Sequence, residues 1–441
     1  MPELDDQSTF PDATLRPSDR AFLAVCALGL SAGLFALSLY IEHKLDTPAL
    51  VTPMLLLCQL AIIAWLGRTD TVLLIIMNLG FMAKLLSTCL YAKASAVQDT
   101  DLALYFDQGK ALAGNLWHVH DLFTAQSLWG TNLIIALVGS LFALIGPSLM
   151  AGMFLFASIS YWGQYLYYRV YCRAFCVRRS RSAAAAMFLW PSMIFWPATI
   201  GKDAIIGIFI ALTAYGCTIR EKQTSTARWT LILFGIVGTF AIRPQISVLL
   251  TVSVAITYLL AGDNTGGRVG GRKLLTLVSI VMLAVPVVYA CAQMLQIRNP
   301  EDAITMTNNS FEGNEVASST FDADKGAAER FVCAPLLLFR PFPWEINGVS
   351  AVAISAEGVV LIVIAVIRAR RLIGLMRRAR TNRLVTFAIS FLLTFVLLAS
   401  AVISNFGLLA RQRVMVLPFL LMLLVRAGDI RPESAPAPRR T

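Results

Sequence analysis

Apolar runs of roughly 17–25 residues recur along this chain, and each is long enough to cross the hydrocarbon core of a bilayer as an α-helix. They lie near 21–41, 50–67, 71–91, 274–292 and 349–367, with longer apolar stretches at 131–171, 184–219, 229–261 and 384–426. Only 14% of the 441 residues are charged and 57% are hydrophobic. Mean hydropathy is +0.69. A soluble domain of this length needs far more surface charge. An outer-membrane barrel would show short alternating segments instead. The expected fold is therefore all-α: a polytopic transmembrane bundle of about ten to eleven spans.

The arginines set the orientation. Basic loops at 172–183, 220–228, 262–273 and 368–383, and the tail 427–441, are assigned to the cytoplasm by the positive-inside rule. The net charge of +11 is accounted for this way, without a nucleic-acid partner. Residues 1–20 read as a cytosolic tail before an uncleaved first helix, and 21–426 as one transmembrane domain. Two larger loops, 92–130 and 293–331, fall on the extracytoplasmic side. Three spans before residue 92 put 92–130 outside, and a cytoplasmic 172–183 loop then needs an odd number of crossings in 131–171. The piece 132–146 is short for a span, so either it is re-entrant or interfacial, or an early span is miscounted. The eight cysteines fall mostly in apolar runs and show neither a disulfide framework nor a zinc pattern.

With this topology, charged breaks far apart in the chain meet on one outer face. Asp101, Tyr105 and Gly109 are spaced four apart and share one face of a helix. Asp99 or Asp101 would cap that helix or act as a base at the membrane surface. Lys202 and Asp203 follow the break at Trp196-Pro197; they form a local ion pair, or Lys202 reaches an anionic substrate while Asp203 orients the helix. Arg243 precedes Pro244 with no acid beside it, which suits a phosphate. Arg411 and Arg413 precede the last apolar run, where they snorkel or make a second anion contact. The elbow Arg340-Pro-Phe-Pro-Trp-Glu345 has two prolines that interrupt helix and Trp344, a residue suited to the bilayer boundary. There Arg340 would face an anionic lipid head, with Glu345 holding it. Glu357 lies inside an apolar run and calls for an outer-face arginine as partner. His118-Val-His120 and Asp322-Ala-Asp324 are too short to assign a metal site; no cofactor is assigned, with a divalent metal left open.

These islands resemble membrane glycosyltransferases of the GT-C class. Asp101-x3-Tyr105-x3-Gly109-x2-Leu112-Ala113 is similar to their first extracytoplasmic loop. Phe195-Trp196…Lys202-Asp203, Arg243-Pro244, the elbow and Arg411-x-Arg413…Pro418-Phe419 are similar to patterns in bacterial proteins of surface-polysaccharide synthesis. The resemblance implies a multi-pass protein of the bacterial inner membrane. It implies transfer of a sugar from a polyprenyl-phosphate or -diphosphate carrier to a glycan or lipid acceptor outside the cytoplasm. It implies a catalytic carboxylate at Asp99 or Asp101. Lys202, Arg243, Arg340 and Arg411 would bind the lipid phosphate, with Asp203, Glu345, Glu357, Tyr105 and Trp344 in support. Two alternatives stand beside it: an oligosaccharide polymerase or ligase in which arginines carry the chemistry, and a transporter or flippase of lipid-linked glycans.

Overall fold

The computed structural model describes residues 59–63, 70–95, 101–113, 129–219, 225–261, 332–346, 349–377, 379–403 and 406–429. The expected spans near 21–41 and 274–292, Asp99, both histidines of His118-Val-His120 and the 293–331 loop lie outside these residues. Every regular element among the described residues is a helix. In chain order they are α1 (Thr71–Ser95), α2 (Asp101–Ala113), α3 (Thr131–Ile145), α4 (Leu149–Ala174), α5 (Arg181–Phe188), α6 (Pro191–Phe195), α7 (Lys202–Thr218), α8 (Ser225–Ile242) and α9 (Pro244–Leu260). After two short 3-10 turns, Ala334–Leu338 and Pro343–Glu345, come α10 (Val349–Ile367), α11 (Ala369–Arg377), α12 (Arg383–Val402), α13 (Phe406–Arg413) and α14 (Leu417–Asp429).

The helix starts follow from local chemistry. Asp70 accepts from the Val72 and Leu73 N–H groups at the head of α1. Ser148, Ser180 and Asn382 cap α4, α5 and α12 in the same way. These side chains satisfy amide donors that a helix start leaves unpaired. Pro191 and Pro244 open α6 and α9, where a missing N–H costs nothing and the fixed φ suits the helix. Gly146-Pro147 ends α3, and the chain turns by 120° into α4.

α4 packs against α1, α5 and α7, and α7 against α8. α12 bridges α9, α7 and α14. α14 is buried at every position from Leu417 to Val425. Among the described residues two helices are long and apolar enough to cross a membrane, Thr71–Lys93 and Arg383–Ser400. The number reaches five when each of three bent pairs (α3–α4, α10–α11 and α13–α14) counts as one span.

The helix expected from Asp101 within the polar stretch 92–130 is α2, packed on α3; a Cβ on Gly109 would overlap Val138, so only glycine allows this approach. Two readings change. The basic stretch 368–383 is not simply a loop: it contains α11, bent by 71° from α10, whose Leu375 is buried while Arg371 and Arg377 are exposed. Charge alone suggested a loop, but the apolar residues are spaced for one helix face. The last helix runs to Asp429, past the start of the expected tail at 427.

The bundle has two chemically different ends. At one, Arg173 meets Tyr215, Arg383 reaches the Ile219 carbonyl, and Arg228 lies over Trp229 and Tyr258. The other end holds the helix breaks at 196–202 and 243 and the turn at 129–130, where Gly130 donates to the Ala241 carbonyl at 2.8 Å.

Candidate functional site

Four helices deliver charge to one point at this second end. α7 begins at Lys202, and its preceding residue, Gly201, offers no side-chain cap. Asp203, in the first turn, is 8% exposed. Its Oδ1 accepts from Nη2 of Arg243 at 2.7 Å, and its Oδ2 from Nε of Arg411. Arg243 reaches it from the extended residue just ahead of α9. Arg411 comes from α13 and donates through Nη1 to Oδ2 of Asp101, at the start of α2, at 2.8 Å. The result is a continuous chain, Asp101–Arg411–Asp203–Arg243, drawn from segments far apart in sequence.

Among the described residues the charge of this cluster does not balance: two carboxylates, Asp101 and Asp203, face Arg243, Arg411 and Lys202. No carboxylate among the described residues pairs with Lys202: Asp203, its sequence neighbour, is taken by the two arginines. The local Lys202–Asp203 pair is therefore not formed. Lys202 is partly buried, and its Nζ is 3.7 Å from where a Cβ on Gly130 would stand. The uncapped amides at the start of α7 add to a field that favours an anion. Each guanidinium also retains N–H groups beyond those given to carboxylates.

Asp101 and Asp203 differ in access. The Asp101 side chain is 60% exposed, that of Asp203 only 6%. Asp203, held by two guanidiniums, fixes the two arginines relative to each other. Asp101 is the carboxylate that remains open to solvent. Tyr105, one turn along α2, is buried, and burial together with the nearby Asp101 charge raises its phenol above the ordinary tyrosine range. It stays a neutral hydrogen-bonding group.

Arg340, Glu345 and Glu357 belong to a second cluster. Glu345 holds Arg340, as the elbow reading expected: Nε and Nη2 of Arg340 both bond it, with Nε–Oε1 at 2.9 Å. Glu345 also accepts from the Phe342 N–H at 2.8 Å, and the Arg340–Pro341 peptide is cis. Five residues of separation let the elbow close on itself and satisfy its own cation. Trp344 is 79% exposed and stacks on Phe342. Glu357 pairs with Arg413 at 3.3 Å and accepts from the Trp190 indole at 2.7 Å and from Ser192. Arg413 is fully buried and also bonds the Leu338 and Arg340 carbonyls. Arg411 and Arg413, two residues apart on α13, thus serve different clusters.

Arg413, Trp190 and Ser192 were not singled out as site residues. A buried acid within an apolar helix signals a cationic partner, but not which of several arginines supplies it. Among the described residues no group of His, Cys, Asp and Glu is placed to hold a metal ion. No protein-family model, no curated protein and no solved structure matches this chain.

Proposed function

We propose that the chain is a membrane-embedded glycosyltransferase that moves a sugar from a polyprenyl-phosphate-type donor to a glycan or lipid acceptor. The reading includes a multi-pass topology of about ten to eleven spans in a bacterial cytoplasmic membrane, with the reaction on the extracytoplasmic side. The observation that supports it best is the cationic surplus at the head of α7. Lys202, Arg243 and Arg411 meet there with two carboxylates among the described residues to neutralise them.

The chemistry follows from where charge develops. The bond between the sugar's anomeric carbon and a carrier phosphate oxygen breaks, and both electrons leave with the phosphate. Lys202, Arg243 and Arg411 stabilise that growing negative charge. The acceptor oxygen forms the new bond to the anomeric carbon, and its proton passes to Asp101. Asp203 holds the two arginines in place and Tyr105 lies beside the carboxylate.

A second reading is favoured by one observation. Asp101 already accepts from Arg411, so its carboxylate is engaged by an arginine. In an oligosaccharide polymerase or ligase the arginines alone would carry the reaction. Transfer from a lipid-linked donor by the purified chain in detergent tests both against a transporter. Transfer lost in Arg243→Ala and in Asp101→Asn supports the first reading. Transfer lost in Arg243→Ala but intact in Asp101→Asn supports the second, and no transfer by the intact chain rejects both.

A further inference from the structure

α11 leaves the last turn of α10 at the arginine-rich end of the bundle, just ahead of α12. Its nine residues include Arg370, Arg371 and Arg377 and no acid. On a helix wheel Leu375, Leu372, Met376 and Ile373 fall on one continuous arc. The two ends of that arc have different surroundings. Leu375 is buried and Leu372 packs on the core, while Met376 is 47% exposed and Ile373 49%. Arg377 and Arg370 follow Ile373 around the helix, and both are exposed. The helix is held from its other side. Arg368, just before it, donates to the Leu424 carbonyl at 2.6 Å, and Arg371 to the Gly428 carbonyl at 3.3 Å. These two cations cover the end of α14, where the helix dipole favours them.

We propose that α11 lies in the surface of the adjoining leaflet and binds anionic phospholipid, with Ile373 and Met376 at the acyl boundary and Arg370 and Arg377 on the lipid phosphates. The proposal rests on the chain being embedded in a bilayer and is independent of the sugar transfer. α11 is bent by 71° from α10, and spans tilt by about 20° on average, so the bend lays α11 near the membrane plane. The exposed apolar surface is continuous across the bend: Val366 and Ile367 close α10 at 69% and 76% exposure, and Ile373 and Met376 carry it on. An apolar edge flanked by arginines suits a medium that is oily on one side and anionic on the other. The arginine stems cover apolar surface while the heads stay at the level of the phosphates. Their planar forks match phosphate oxygens in pairs. Basic residues beside a span also gain from the negative surface potential of anionic lipid.

The full-length protein is placed in nanodiscs of phosphatidylcholine, with or without phosphatidylglycerol, and backbone deuterium uptake is followed by peptide mass spectrometry. Slow exchange over α1 and α12 reports that the bundle is inserted. Uptake over α11 slows about tenfold when phosphatidylglycerol is present. R370Q/R377Q, at two exposed positions, removes that difference between the lipids. I373S/M376S speeds uptake over α11 in both lipids. R377Q alone, expected to leave about a threefold difference, serves if the double arginine variant unfolds on heating at a clearly lower temperature. An inserted bundle whose α11 exchanges alike in both lipids, or a difference unchanged in the arginine variants, overturns the proposal and leaves the transferase reading untouched. Protection of α11 that appears in detergent and grows with protein concentration marks a second copy as the occupant and overturns it as well. A bundle that does not enter the nanodiscs overturns both readings.

Discussion

Arg411 donates to Asp101 at 2.8 Å across 310 residues of chain, and through its Nε the same guanidinium holds Asp203. One side chain therefore links the accessible carboxylate to the buried one. Under the proposed function, an anion arriving at the head of α7 would compete with Asp101 for Arg411, so that donor binding and release of the proposed base would be a single event.

Asp101→Asn tests this directly. The amide keeps the shape and loses the base, so kcat falls by about 10²–10⁴-fold while KM for the donor changes little. Arg411→Lys has the other signature: donor KM rises, because a point charge replaces a fork. Steady-state transfer with a labelled lipid-linked sugar separates the two. Full turnover in Asp101→Asn would leave the arginine-based reading standing alone.

Lys202→Met removes the cation that no carboxylate pairs with. Loss of about 1.4 kcal/mol of binding weakens the affinity for a short-chain polyprenyl phosphate about tenfold, and binding becomes less sensitive to salt. Lys202→Arg keeps the charge and most of the affinity. Calorimetry in detergent reads both. Equal affinity for Lys202→Met and the wild type would place the phosphate elsewhere.

Helix positions were largely legible in the sequence, and charge partners were not. Pro244 and Gly146-Pro147 mark breaks because the missing N–H acts within one turn, and the apolar run at 349–367 emerges as α10 with the same bounds. Lys202 and Asp203 looked like a pair because they are neighbours, yet the arginines that take Asp203 lie 40 and 208 residues away. Only packing brings them together. Arg340 shows the converse: its partner Glu345 lies within the same six-residue elbow, close enough in the chain for the pair to be read from the sequence.

Glu357 and Arg413 should behave as a structural unit. Removing one partner leaves a buried charge alone, so Glu357→Ala or Arg413→Ala each costs about 3–5 kcal/mol. The double variant E357Q/R413M leaves neither charge behind and recovers a good part of the loss. Thermal unfolding in detergent, followed by helical circular dichroism, gives the comparison. A double variant as damaged as the sum of the singles would mean that the two groups act independently.

Gly109 sets how closely α2 lies on α3, and α2 carries Asp101 to Arg411. In Gly109→Val the added methyls meet Val138, and overpacking of this kind costs about 1–3 kcal/mol. The expected effect on transfer is larger than the effect on stability, because a shift of α2 by an ångström breaks the 2.8 Å bond between Arg411 and Asp101 and displaces the base; misplacement on that scale costs about 10²-fold. Val138→Ala, added to Gly109→Val, restores room on the opposing helix and should return most of the activity. Transfer rates and melting temperatures of the single and double variants decide it: equal loss of activity in both would show that α2 does not position the base through this contact.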